Sequence, residues 1–274
     1  MALVPILLSV ITTILSFYLG FSAFSSEQMK KLYINWVYYI LIANILLWFF
    51  AIVNTKSKNW HNELLNYCKK HKWAILFAFL LTLCGVLVSK PEFRILADET
   101  NLLSISQALY ENRECKNLTS ATYYYYGFKS VISYEIDKRP ALFPLTVSFF
   151  HSAFGYRPEN AFAVNILACF LSLLILYNLV CSRFGRFWGI CSMILLSAYP
   201  LWVLYYTSAG FEVFNLLFSL ILFWYLAKFI NEPTAANAEV LLLMLPLISQ
   251  TRYESSVALL TAIPAVFLML PKLE

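Results

Sequence analysis

"NAFAVNILACFLSLLILYNLVC", residues 160–181, runs for 22 residues without Asp, Glu, Lys or Arg. A hydrocarbon core about 30 Å thick is crossed by roughly 20 apolar residues in a helix. In lipid every backbone N–H and C=O must be satisfied within the segment, so a run of this kind reads as a transmembrane α-helix. Working outward, similar runs recur from one end of the chain to the other. Of the 274 residues, 61% are hydrophobic and 13% charged, with mean hydropathy +0.68. Soluble domains carry about 25% charged residues, so composition excludes a soluble globular domain and predicts an all-α, polytopic transmembrane helical bundle. Nothing in it points to a nucleic-acid partner.

On the N-terminal side, "ALVPILLSVITTILSFYLGFSAF" lacks a basic flank and is too long for a signal-peptide core, so it is expected to be a retained span. Further spans are expected at 32–53 and 73–88, separated by a loop carrying Lys56, Lys58, Lys69, Lys70 and Lys72. The positive-inside rule places that loop in the cytoplasm and residues 89–158 outside. On the C-terminal side, spans are expected at 187–205 and 211–230. The tract 240–270 is too long for one crossing and is interrupted by "SQTRYESS", which predicts two helices meeting at an outer polar turn. The total is about eight spans. The chain therefore divides into N-terminal helices (1–88), an external loop with juxtamembrane amphipathic helices (89–158), and C-terminal helices (159–274). "ALFPLTVSFFHSAFG", with Pro144 and His151, is short for a span and is expected to be juxtamembrane or re-entrant.

Chemistry concentrates in the external loop. "RILADETNLLSISQALYENRE" opens with adjacent carboxylates, Asp98 and Glu99, followed by Leu102, Leu103, Ile105, Leu109 and Tyr110 at helical spacing. Two readings stand for the acids: a helix N-cap and first-turn acid, or a catalytic pair at the membrane surface. The outer cations Lys90, Arg94, Lys129, Lys138, Arg139, Arg157 and Arg252 are by default snorkelling side chains. Arg252 stands apart, because an ionisable residue inside an apolar tract is expensive and usually functional; Glu254 is its nearest acid in sequence. Glu212 is either a cavity acid or a favourable charge at a helix start. The run "TYYYYGF" is read as an interfacial aromatic belt before a sugar-stacking surface. The histidines are read as interfacial side chains, and the six cysteines suggest neither a disulfide framework nor a zinc site. The sequon at Asn117 carries little weight.

In order along the chain, "ADET", "KRPALFP", "AFGYRPEN", "NILACFLSLLIL", "SAYPLWVLYYTSAGFEVFNLLFSLILF" and "LISQTRYES" resemble the GT-C superfamily of membrane glycosyltransferases. The nearest branch holds protein O-mannosyltransferases and the lipid A aminoarabinose transferase. The resemblance implies transfer of a hexosyl or pentosyl group from a polyprenyl- or dolichyl-phosphate donor to a glycan, lipid or protein acceptor on the outer or lumenal face. It implies Asp98 and Glu99 as catalytic residues and Arg139, Arg252, Lys138 and Glu212 as substrate-binding residues. No cofactor is expected, a divalent metal is left open, and a bacterial inner membrane is favoured over the endoplasmic reticulum. Ala141 stands where the family often has proline, and two spans precede the usual first one. The chain stops at "LPKLE" where relatives continue, so it reads as an N-terminal fragment. The alternatives are a transporter or flippase for a lipid-linked or small anionic substrate, which would show matching broken helices in two repeated halves, and a truncated non-catalytic membrane subunit.

Overall fold

The computed structural model describes residues 24–55, 60–120 and 133–269. The expected span before residue 24, the tyrosine run at 123–126, and Lys56, Lys58 and Lys129 lie outside the described residues. Helix α1, Ser26–Asn54, starts on a capping box in which Ser25 and Gln28 satisfy each other's backbone N–H groups. Helix α2, Trp60–Val88, leaves helical geometry at His71. Helix α3, Leu96–Asn112, ends on Arg113 in the left-handed region (φ 59°). A two-stranded antiparallel hairpin follows, β1 (Asn117–Ser120) with β2 (Ser133–Glu135), pairing Leu118 with Tyr134. Then come α4 (Leu142–Phe154), α5 (Glu159–Phe184), α6 (Arg186–Ser197), α7 (Pro200–Tyr206), α8 (Glu212–Asn231), α9 (Ala235–Ser249), a 3₁₀ turn (Tyr253–Ala258) and α10 (Leu259–Met269).

Four described helices, α1, α2 from Leu65, α5 and α8, are long and apolar enough to cross a membrane, and five spans result if α6 and α7 count as one. The count of about eight is therefore not confirmed among the described residues, and the first of the expected spans lies outside them. The α6–α7 pair bends by 75° because Pro200 has no N–H to continue a helix and drives Tyr199 to an extended conformation (φ −77°, ψ 114°). The tract after residue 234 does divide at a polar turn, but α9 has 15 residues and α10 has 11 described ones. Both are shorter than the roughly 20 a crossing needs. Helix α4, at 13 residues, is likewise too short.

Lipid supplies no hydrophobic drive between helices, so packing inside the membrane rests on close approach and interhelical hydrogen bonds. Gly85 shows the close approach: a Cβ there would lie 1.4 Å from the Tyr206 hydroxyl, so alanine would displace the buried Tyr206 side chain. Outside the spans, α3 buries Leu102, Ile105 and Leu109 beside Leu142, Leu145 and Val147 of α4. Each such side chain taken from water contributes about 1.5–3 kcal/mol. This is the amphipathic face predicted from the spacing. Helices α2 and α5 define two poles. One carries Lys69 to Lys72 and Arg183 to Arg186; the other carries the starts of α3, α4 and α8.

Candidate active site

Helix α3 begins at Leu96, and its N-cap, Ile95, offers no side-chain oxygen. The first backbone N–H groups of a helix need acceptors from elsewhere. Glu99 folds back onto the two residues that lead into the helix: its carboxylate accepts from Ile95 N–H (3.1 Å) and Arg94 N–H (3.2 Å). Its Oε2 also accepts from Ala209 N–H at 3.1 Å, so one carboxylate joins the start of α3 to the loop before α8. Glu99 is 2% exposed.

Asp98 is turned the other way. It lies in the first turn rather than at the N-cap, so the capping reading of this residue is corrected. Its side chain is 50% exposed and pairs with Arg139 Nη2. Arg139 is itself clamped by Asp137, whose two oxygens each lie 2.8 Å from Nη1 and whose Oδ1 also accepts the Arg139 backbone N–H. The guanidinium is thereby fixed before it reaches Asp98.

The loop 207–211 closes the site. Asn165, deep in α5, donates from Nδ2 to Ser208 O (2.8 Å) and Gly210 O (2.6 Å), while Thr207 O accepts Glu92 N–H (3.0 Å). Gly210 lets the Glu212 carboxylate lie close: a Cβ there would sit 2.3 Å from Glu212 Oε2 and would displace it. Between this loop, α3 and α7 lies a cleft of about 150 Å³ whose lining includes Asp98, Glu99, Glu212 and Arg94, with Leu201, Leu204 and Tyr205 as apolar wall. Pockets for drug-sized ligands measure about 300–1,000 Å³, so this cleft is smaller than a site enclosing a whole molecule of that size. Arg94 is held at its edge by Ser89 Oγ (2.7 Å), Lys90 O (3.2 Å) and Glu92.

Arg252 caps the 3₁₀ turn after α9. Its guanidinium lies 5.5 Å from the centroid of Phe211, a cleft residue, and its Nε is 3.3 Å from Glu254 Oε2. The turn is latched to α8, because Asn215 Oδ1 accepts from Thr251 Oγ1 and Ser255 Oγ, each at 2.6 Å. Glu212 lies within electrostatic range of Arg252, Glu99 and Asp98. Of the residues singled out in sequence, Asp98, Glu99 and Glu212 share one cleft, and Arg139 and Arg252 reach its rim. Lys138 is exposed and does not line it. Sequence reasoning passed over Asp137, Asn165 and Asn215 and left Arg94 among the default cations. The signal for Asn165 and Asn215 was present, since an amide inside an apolar span must find a partner.

One further expectation changes. His151 is buried rather than interfacial: Asn160 Nδ2 lies 2.8 Å from its Nδ1, and its Nε2 is 3.1 Å from Ser106 Oγ. Burial lowers its pKa below the usual 6.5. Asn117, the sequon residue, is 6% exposed and faces Asp137, leaving no room for a glycan. Among the described residues, no three His, Cys, Asp or Glu side chains converge as a metal-ligand set.

Residues 138–273 match the family model described as dolichyl-phosphate-mannose-protein mannosyltransferase. No curated protein and no solved structure matches the chain.

Proposed function

The match over residues 138–273 makes this chain a member of the GT-C superfamily of membrane glycosyltransferases, and from that premise we propose that its cleft transfers a sugar from a polyprenyl- or dolichyl-phosphate donor to a hydroxyl acceptor. The observation that carries the proposal is the placement of Asp98: a half-exposed carboxylate, fixed by Arg139, at an apolar-walled cleft between α3, α7 and the loop 207–211. The acceptor oxygen forms a bond to the anomeric carbon, and the bond from that carbon to the phosphate oxygen breaks with its electron pair leaving on the phosphate. Asp98 takes the acceptor's proton. Glu212, across the same cleft, orients a sugar or acceptor hydroxyl.

The departing phosphate needs compensating charge in a site where water is scarce. Arg252 on the face of Phe211 supplies it, with Arg139 beside Asp98 as the second cation at the rim. Glu99 has its oxygens engaged by three backbone N–H groups and therefore positions Asp98 rather than reacting. The resemblance to the aminoarabinose transferase branch supports work in a bacterial inner membrane, with glycan, lipid or protein as acceptor class.

The test is transfer of labelled sugar from a polyprenyl-phosphate donor by the chain in liposomes. General bases contribute about 10²–10⁴ in rate, so Asp98→Asn should lose at least about two orders of magnitude with helix content unchanged. Transfer by Asp98→Asn at the wild-type rate would remove Asp98 from the chemistry.

A further inference from the structure

At the pole opposite Asp98, α2 and α5 meet through a polar cluster that takes no part in the transfer site. Tyr67 Oη donates to Asn178 Oδ1 at 2.6 Å, and His71 Nδ1 lies 3.0 Å from Tyr177 Oη. The His71 ring stacks on Tyr67 at 4.7 Å and meets the edge of Tyr177 at 5.6 Å, and α2 breaks there (φ −113°, ψ 17°). Kinks have local causes, and here the break coincides with a histidine wedged between two tyrosines.

Two cations frame the break. Lys70 and Arg186 both lie within electrostatic range of the His71 imidazole. Arg186 is delivered by Gly185, whose φ of 91° turns α5 into α6, and by Gly189, where a Cβ would lie 2.7 Å from Tyr177 Cδ2. Lys69, Lys70, Lys72, Arg183 and Arg186 are all exposed, and among the described residues none of them forms an ion pair. Also among the described residues, His71 Nε2 and the Asn178 amide nitrogen make no hydrogen bond. Trp73, Phe184, Phe187 and Trp188 stand exposed beside the cations, the arrangement of aromatic rings at headgroup depth.

We propose that this notch binds the phosphate of an anionic phospholipid headgroup. Lys70 and Arg186 meet the charge, Asn178 and His71 supply neutral hydrogen-bond donors, and the exposed rings pack on the acyl chains below. A notch at this depth faces phosphodiesters in either leaflet, and unpaired cations there are attracted to anionic lipid. The fixed tyrosine–histidine–asparagine frame distinguishes it from a diffuse basic surface. The site stands independently of the transfer reaction.

The test is native mass spectrometry of the full chain titrated with phosphatidylglycerol, with phosphatidylcholine and inorganic phosphate as separate arms. Phosphatidylglycerol should be retained in preference to phosphatidylcholine, and inorganic phosphate should not displace it. Each of Lys70→Gln and Arg186→Gln should weaken retention about fivefold, whereas Arg186→Lys should restore most of it. Lys69→Gln, which removes the same charge outside the notch, should change it little. Equal losses from Lys69→Gln and Lys70→Gln would reduce the site to general surface charge and overturn the proposal. So would equal retention of the two lipids, or displacement by inorganic phosphate. Circular dichroism of each variant separates lost binding from lost fold.

Discussion

Asp98 and Glu99 are consecutive, yet a helix turns successive side chains by about 100°, and the two carboxylates have different fates. Glu99 turns inward to three backbone N–H groups, and Asp98 turns to the cleft and Arg139. In Glu99→Gln the new amide nitrogen faces donors, so at least one buried N–H loses its acceptor, at a cost of about 1–3 kcal/mol. The expected outcome is a lower unfolding midpoint in detergent. A normal midpoint with abolished transfer would assign Glu99 to the chemistry instead. His151 makes a second residue-scale prediction. The Ser106 hydroxyl donates to Leu103 O at 2.7 Å, so its oxygen accepts from Nε2–H, while Nδ1 accepts from Asn160. The fold therefore holds the neutral imidazole. Its folded pKa lies below the unfolded value of 6.5, so the unfolded chain binds the proton more readily. The stability it contributes is complete above about pH 6.5 and is lost as pH falls from there towards the folded value. Unfolding midpoints taken at about pH 7.5 and about pH 5.5 should differ less in His151→Gln than in the wild type.

At the scale of elements, the site depends on segments that are not themselves spans. Glu99 ties the start of α3 to the loop 207–211, Asn165 ties that loop to α5, and Asn215 ties the turn 250–258 to α8. Asn215 anchors both neighbours of the Arg252 segment, Thr251 and Ser255, so it controls where Arg252 stands relative to Phe211. Asn215→Leu should therefore raise KM for the lipid donor more than it lowers kcat, as Arg252→Ala should. Residues acting through one contact are non-additive, so the double variant should be little worse than Arg252→Ala. Additive losses would show that Asn215 acts elsewhere. Composition and period made the spans themselves legible: a run such as 160–181 allows only a helix in lipid. The break after α9 was legible as charge, whereas the break at Pro200 falls inside a stretch, 187–205, expected as one continuous span. Whether such segments cross was not legible, because hydropathy does not report a 75° bend.

For the whole molecule, the two poles carry opposite assignments. Basic residues crowd the end with Lys70 and Arg186, and the acidic cleft lies at the other. The positive-inside rule then predicts that the cleft faces outward. In a cysteine-free background, an impermeant thiol reagent added outside should label Ser120→Cys and spare Ser57→Cys. The reverse pattern would invert the molecule and separate the cleft from an external acceptor. The sequence by itself determined the solvent this protein lives in, the helical class, the amphipathic face of α3 and the candidacy of Asp98, Glu99, Glu212, Arg139 and Arg252. These follow from the local cost of exposing polar backbone or charge to lipid, which any short window reveals. Tertiary structure alone decided which carboxylate is exposed and which is buried. Asp98 meets Arg139 across 41 positions and Glu99 meets Ala209 across 110. It also decided that Lys138 stands outside the cleft and that Asn165 and Asn215 hold it together. A side chain's partner is set by the packing of distant helices, and neither periodicity nor composition within one segment carries that distance.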